Sequence, residues 1–205
     1  MRKVTLAIGE YYHVFNRGVD KRSIFLDQLD IQRFLESVRE FNVPDPIGSL
    51  FEHRFRLGIP TPKESLADVV CFCLNPNHYH LLLRQNEENG IQKLMQKIGT
   101  GYVNYFNEKY ERSGALFQGR YKAVHVASNT QLLHTSVYIN LNDKIGVKPI
   151  LSYSSWEEYI GHIKKSMCKK EIILGQFADG REYENFARSS LEDIMERKRA
   201  EKDLQ

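Results

Sequence analysis

The spacing of apolar and polar positions predicts short strands that alternate with amphipathic helices. Four stretches rich in β-branched and aromatic side chains, bounded by turn-forming residues, are predicted strands. They cover residues 11–15, 68–74, 78–85 and 116–127. Three stretches whose apolar side chains recur every three or four residues are predicted helices. They cover residues 31–41, 91–106 and 130–141. The order strand, helix, hairpin, helix, strand, helix is typical of an α+β fold in which helices pack on a ferredoxin-like antiparallel sheet.

Two further regions set the predicted domain boundaries. Residues 42–66 hold four of the six prolines and form a long connection, with a short strand predicted at Phe51–Leu57. Near the C-terminus, residues 192–202 carry dense charge of both signs, which is typical of a solvated helix. We therefore divide the chain into one domain at residues 1–149 and a C-terminal helical extension at residues 150–205.

Composition argues against a membrane protein and against a disulfide-stabilised one. The sequence has no apolar stretch long enough to span a bilayer, and its N-terminus lacks the apolar region of a signal peptide. We therefore expect a cytoplasmic protein without a membrane partner. The three cysteines do not make a disulfide framework, and Cys71 and Cys73 are expected to be buried within an apolar strand.

The distribution of charge is more informative than the net charge of +3. From Lys93 to Lys122 the sequence holds six basic residues, two acidic residues and six tyrosines or phenylalanines. Cations that pair with phosphates and rings that stack on bases are typical of a surface that binds single-stranded nucleic acid. A helix with an aromatic core face and a basic solvated face would show the same pattern, so this stretch alone leaves both interpretations open.

Two histidines, His78 and His80, lie one residue apart in the predicted strand at residues 78–85. Because successive side chains of a strand point to opposite faces, both histidines project from one face and Tyr79 from the other. Two imidazoles on one face can bind a single metal ion. The alternative is a pair of polar side chains on the solvated face of a half-buried sheet.

The third predicted helix carries His134, Tyr138 and Asn142 at four-residue spacing, which puts them on one helix face. Because this helix directly follows the last strand, it can pack across the sheet face that carries His78 and His80. Asn142 would then supply an oxygen as a third metal ligand, with Tyr138 one turn away. For His134 three roles stay open, namely a further ligand, a proton carrier or a surface histidine, of which we favour the last.

This set of side chains suits phosphoryl transfer. A divalent cation held by two histidines and an amide oxygen polarises a phosphodiester, which a tyrosine hydroxyl then attacks. Mg²⁺ or Mn²⁺ fits a site with open positions better than a structural zinc ion, which takes four protein ligands.

Several segments resemble, in order along the chain, the HUH (His-hydrophobic-His) single-tyrosine transposases of the insertion-sequence-200-like class. Within that class they are most similar to the REP-associated tyrosine transposases. The His-x-His pair alone is a weak signal, whereas the ordered set is specific. The matching segments are Tyr12–Gly18, Ile24–Phe25, Asn75–Leu82, Gly114–Lys122, Tyr138–Asn142 and Ser154–Trp156.

The resemblance implies a reaction and a domain. Residues 1–149 would form a nuclease domain of ferredoxin-like fold with a divalent metal at His78 and His80. Tyr138 would be the nucleophile, which forms a 5′-phosphotyrosine on single-stranded DNA beside a hairpin.

The resemblance also implies which residues bind DNA and how copies assemble. Arg17, Arg120 and Lys122 fall in matching segments and would contact DNA. The wider class works as dimers with shared sites and the REP-associated branch as monomers, so a monomer and a homodimer both stay open. In one departure from the family, Asp143 follows Asn142 where a proline is common, so the resemblance does not fix how this helix ends.

Two other functions are compatible with the same residues. A non-catalytic, domesticated protein that binds hairpin DNA would keep the histidines, the tyrosine and the cations as contacts. A metal-dependent phosphoesterase that acts on RNA or a small nucleotide would use the metal, with Tyr138 only structural. Strand cleavage with a protein-linked intermediate distinguishes the transposase-like reaction from both.

Overall fold

The computed structural model describes most of the chain. The ranges are residues 5–45, 47–48, 50, 64–145, 149, 151–163 and 167–203, with side chains described through residue 197. The predicted strand at Phe51–Leu57 lies outside these residues.

Within the described residues, the strands pair into one antiparallel sheet in the order β4-β1-β3-β2-β5. The strands are β1 (Tyr11–Arg17), β2 (Ala67–Asn75), β3 (His78–Gln85), β4 (Lys122–Val126) and β5 (Tyr153–Ser154). The predicted hairpin is confirmed, because β2 and β3 pair from Asn75 and His78 outward across a two-residue turn. This arrangement agrees with the predicted α+β fold.

Helices cover both faces of this sheet. The α-helices are α1 (Gln28–Glu40), α2 (Gly90–Lys109), α3 (Asn129–Asn140), α4 (Trp156–Tyr159), α5 (Glu171–Leu174) and α6 (Gly180–Asp203). Short 3-10 turns occupy Val19–Lys21 and Asn142–Lys144. Within the part of the chain that the structure describes, no helix is long and apolar enough to cross a membrane.

The alternation of side chains along β3 divides the core into two parts. Tyr79, Leu81 and Leu83 point into one hydrophobic cluster, which α1 and α2 cover. Leu82 points into a second cluster beneath α3 and α6. Both faces of the strand are covered along Leu81–Leu83, and these three residues are therefore all apolar and fully buried. Cys71 of β2 lies fully buried in the second cluster, as the sequence predicted.

The C-terminal extension packs against α3. Tyr183 of α6 is fully buried, and its hydroxyl lies 3.2 Å from Ser136 Oγ and accepts a hydrogen bond from Asn140 Nδ2 at 3.1 Å. Asn140 Oδ1 in turn accepts a hydrogen bond from Ser155 Oγ at 2.5 Å. The extension therefore packs on the side of α3 that carries Ser136 and Asn140, although the predicted domain boundary at residue 149 stays a prediction.

The last predicted strand is wrong over its first six residues. The strand β4 begins at Lys122, whereas residues 116–121 form a loop that includes Gly119 at φ +74°. Hydrogen bonds from Val19 N to Leu116 O at 3.0 Å and from Gln118 N to Arg17 O at 2.8 Å hold this loop against the end of β1. The sequence pattern missed the change because the loop carries apolar side chains that pack into the core.

Candidate functional site

The histidine pair lies on the sheet face that α3 covers. In the register of the sheet, His78 is paired with Arg17 and His80 with Phe15 of β1. The two imidazole centroids are 5.1 Å apart and their planes are nearly perpendicular, at 86°. The hairpin turn before His78 is held in place because Pro76 O accepts hydrogen bonds from two backbone amides of the segment after β1.

Asn142 meets His78 from the 3-10 turn that follows α3. Its Oδ1 lies 3.2 Å from His78 Nε2 and accepts a hydrogen bond from Asn75 Nδ2 at 2.8 Å. The helix ends at Asn140, and Leu141 breaks its geometry before the turn begins. Asn142 therefore contacts His78 from just beyond the end of the helix. The resemblance alone did not determine this orientation.

Tyr138 lies over the other histidine. Its half-buried ring stands edge-on to His80, with the two centroids 5.7 Å apart, and its centroid is 5.9 Å from that of His13. The structure thus brings Tyr138, His78, His80 and Asn142 to one place. Their catalytic and metal-binding roles stay predictions.

His134 lies elsewhere on the same helix. Its side chain is exposed and its ring packs against Phe186 of α6, with centroids 5.3 Å apart. This position matches the surface histidine that we favoured. Asn142 is the helix-end residue that contacts the histidine pair.

His13 is a functional candidate that the sequence analysis did not single out. Its Nε2 lies 2.8 Å from His80 Nδ1. Burial lowers the pKa of His13 to about 4, so the ring is neutral at pH 7 and can accept a hydrogen bond. Strand alternation, which can be read from the sequence, places His13 on the same face of β1 as Phe15 and Arg17. That this face also carries His80 depends on the pairing of β1 with β3, which the sequence does not reveal.

Asn75 is a second residue that was missed. Its Nδ2 lies 3.0 Å from His78 Nε2 and also donates to Asn142 Oδ1. The Asn75 amide nitrogen therefore contacts two of the predicted metal-ligand atoms, His78 Nε2 and Asn142 Oδ1. Its position opposite His78 across the hairpin is the signal that could have identified it.

Two of the three predicted ligand atoms are spaced as neighbouring ligands of one divalent cation would be. His78 Nδ1 lies 2.6 Å from Asn77 Oδ1, which places its proton on Nδ1 and leaves Nε2 as an acceptor. The 3.2 Å between His78 Nε2 and Asn142 Oδ1 compares with about 3 Å between neighbouring ligands of an octahedral Mg²⁺.

The Asn142 amide oxygen is the candidate for a third protein ligand. Among the described residues, no group of three His, Cys, Asp or Glu side chains is arranged to hold a metal ion. A third protein ligand at the histidine pair would therefore be a side chain of another type, and Asn142 Oδ1 lies 3.2 Å from His78 Nε2.

The predicted DNA-binding residues divide between the two faces of the sheet. Arg17 and Lys122 line a pocket of about 580 Å³ that also contains Phe15 and the histidine pair. Arg17 Nε donates a hydrogen bond to Gln118, which holds the guanidinium at the pocket rim. Arg120 instead lines a cavity on the opposite face.

Comparison with known families agrees with the sequence resemblance. Residues 61–142 match the family model described as transposase IS200 like. This span includes the histidine pair, Tyr138 and Asn142. The match confirms the resemblance to insertion-sequence-200-like transposases over these residues, and the chain is transposase-like in that span. No curated protein sequence matches the chain.

Comparison with solved structures supports the fold. A structure described as a REP-associated tyrosine transposase bound to a REP hairpin superposes with a TM-score of 0.52 at 13% sequence identity. The match covers 82% of this chain and 88% of the other. At this identity the similarity establishes a shared α+β fold, in agreement with the fold predicted from the sequence.

Proposed function

We propose that the chain is a single-tyrosine DNA transposase-like nuclease, which cuts and rejoins single-stranded DNA beside a hairpin. The observation that carries this proposal is the convergence of Tyr138, the histidine pair and Asn142 on one sheet face. The family match over the same residues supports it. The hairpin partner is inferred from the structural relative, which was bound to one.

His78, His80 and Asn142 would hold Mg²⁺ or Mn²⁺. When bound, the cation supplies positive charge that stabilises the negative charge developing on the scissile phosphate. In this arrangement His80 would donate from Nδ1 to His13 Nε2, 2.8 Å away, which would leave its own Nε2 for the ligand position.

Tyr138 would supply the nucleophilic oxygen. Its hydroxyl attacks the phosphorus, the bond from phosphorus to the 3′ oxygen of the preceding nucleotide breaks, and a 5′-phosphotyrosine forms. The phenol proton passes to water, and the departing 3′ oxygen takes up a proton. Rejoining is the reverse reaction, in which a 3′ hydroxyl attacks the phosphotyrosine and Tyr138 is released.

Arg17, Lys122 and Phe15 would hold the strand. The two cations flank the pocket and would pair with phosphates, and the Phe15 ring, 5.7 Å from that of His80, offers a stacking surface for a base. No catalytic step is assigned to these three side chains.

We expect Lys122→Gln and Arg17→Gln to weaken binding of single-stranded DNA and to reduce its salt dependence. The slope of log affinity against log salt should flatten by about 0.7 for each phosphate that the protein no longer neutralises. Fluorescence anisotropy at several salt concentrations measures this slope. Arg39→Gln, which changes an exposed arginine on α1, should leave the slope unchanged. Equal slopes in all three variants would remove Arg17 and Lys122 from the DNA surface.

We expect His13→Leu to weaken Mn²⁺ binding by about 10- to 100-fold, the usual effect of removing a hydrogen-bond partner behind a metal ligand. Leucine removes the acceptor that orients His80, while His13→Gln keeps an acceptor and should restore part of the affinity. Calorimetric titration with Mn²⁺ in the absence of DNA measures the effect. Wild-type affinity in His13→Leu would show that His80 does not depend on His13.

A pool of hairpin-flanked single-stranded oligonucleotides, incubated with the protein and Mn²⁺, tests the proposed function. We expect a protein–DNA adduct that survives denaturation. DNA binding without an adduct would identify a non-catalytic hairpin-binding protein. Cleavage to a free 5′ phosphate without an adduct would identify a hydrolytic phosphoesterase.

A further inference from the structure

A cavity lies on the sheet face opposite the histidines, between α2 and the loop that precedes β4. Its volume is about 890 Å³, within the range of about 300–1,000 Å³ that small-molecule sites occupy. Rings and hydrogen-bonding side chains line it together. They are Tyr79, Phe117, Tyr121, Gln92, Gln96 and Arg120.

Gly99 of α2 lies on the wall of this cavity. A glycine inside a helix makes that residue about four- to five-fold less favourable in the helical state than alanine. At position 101 the packing explains the glycine, because a Cβ there would lie 2.6 Å from Phe41 Cε2. A Cβ at Gly99 would meet no atom within 4 Å, so no packing contact requires glycine there. Gly99 lines the cavity, and any larger side chain would project into it.

The cavity and the histidine pocket adjoin at one residue near the start of β4. The buried Asn16 borders both spaces, and its Nδ2 donates to Gly119 O at 3.1 Å. Along the loop, Gln118 and Lys122 line the histidine pocket, whereas Arg120 lines the cavity. A strand that leaves the histidine pocket past Lys122 therefore meets Arg120 and then the cavity.

We propose that this cavity binds an unpaired nucleobase of the same DNA strand whose phosphodiester lies at the histidine pair. The inference rests on the proposed function and adds to it a second nucleotide site on the opposite face of the sheet. Rings such as Phe117 and Tyr121 stack on a base, and the glutamine amides offer both donors and acceptors to its edge. Arg120 pairs with the neighbouring phosphate. The separation of Arg120 from Arg17 and Lys122 follows, since the two groups contact different nucleotides.

Gly99→Leu tests the cavity and Gly99→Ala is its matched control. Both variants are made with Tyr138→Phe, so that DNA binds without reacting. The probe is a fluorescent DNA hairpin with randomised eight-nucleotide single-stranded arms. We expect Gly99→Leu to bind the pool about 5- to 150-fold more weakly, the range that one stacked base contributes. Gly99→Ala should bind like the parent protein, because a methyl group leaves most of the space free.

Sequencing the bound fraction gives a second readout. The parent protein and Gly99→Ala should enrich a base at one arm position, and Gly99→Leu should lose that preference. Circular dichroism of both variants checks the fold, and Arg120→Gln gives an independent weakening if leucine disturbs α2. Equal binding and equal preference in Gly99→Leu and Gly99→Ala would overturn the cavity site.

The hypothesis that the cavity binds a base and the hypothesis of the Tyr138 reaction can be refuted independently. In the Tyr138→Phe background, weaker binding by Gly99→Leu without any adduct from the wild-type protein would support the cavity and refute the reaction. An adduct from the wild-type protein with no effect of Gly99→Leu on pool binding would support the reaction and overturn the cavity site.

Discussion

Tyr138→Phe protein is expected to bind hairpin-flanked DNA with wild-type affinity and to form no covalent adduct. The substitution removes one oxygen and keeps the ring, which is half-buried against the His80 and His13 imidazoles. Since only the hydroxyl can bond to phosphorus, the adduct should fall below detection while stability changes little. Denaturing gel electrophoresis of a labelled oligonucleotide measures the adduct.

The assignment of Tyr138 depends on its position among eleven tyrosines. Tyr79 is buried on the opposite face of the sheet, where burial raises the pKa of its hydroxyl and makes ionisation harder. Tyr102 is fully buried between α1 and α2, and its hydroxyl donates to Ile24 O. Tyr153→Phe, at the far edge of the sheet, is the matched control and should form the adduct normally. An adduct that persists in Tyr138→Phe, or maps to another tyrosine, would refute the assignment.

His78→Ala and His80→Ala are expected to abolish cleavage, each by removing one ligand of the cation. Removal of Mn²⁺ by a chelator should have the same effect on the wild-type protein. His125→Ala is the matched control, because His125 lies on β4 with an exposed side chain that pairs with Glu10 at 2.8 Å. Undiminished cleavage by the double variant in chelator-treated buffer would refute the metal role.

The two histidine variants should differ in stability. His78 is half-buried, whereas His80 is only 7% exposed beneath Tyr138 and hydrogen bonds to His13. His80→Ala leaves Nε2 of the half-buried His13 without this partner, at a cost of about 1–3 kcal/mol. His78→Ala should cost less. Thermal melting followed by circular dichroism compares them, and a fully unfolded His80→Ala protein would leave His78→Ala as the test of the metal role.

The parts of the site that local periodicity governs could be predicted from the sequence. Strand alternation placed His78 and His80 on one face, and helical spacing brought Tyr138 and Asn142 to the same end of a helix. That helix packs on the histidine face because the chain turns back directly after β4. The match was not complete, since Asn142 lies in a 3-10 turn beyond the helix and not within it.

The parts that depend on strand pairing could not be predicted. The contact between His13 and His80 spans 67 residues and requires the register of β1 against β3. The separation of Arg120 from Lys122 depends on where β4 begins. Because the strand pattern was extended back to Leu116, the two residues, which are two positions apart, appeared to share one face of a strand. In the structure Arg120 belongs to a loop that turns toward the opposite face.

The histidine pair and Tyr138 belong to one copy of the chain, since α3 returns over the sheet that carries His78 and His80. For the proposed reaction this predicts a stoichiometry. Each molecule would hold a full set of reacting groups with one tyrosine, so it would hold one broken strand end at a time. Releasing a DNA segment requires two breaks, and these would need either two molecules on one DNA or two successive rounds by a single molecule.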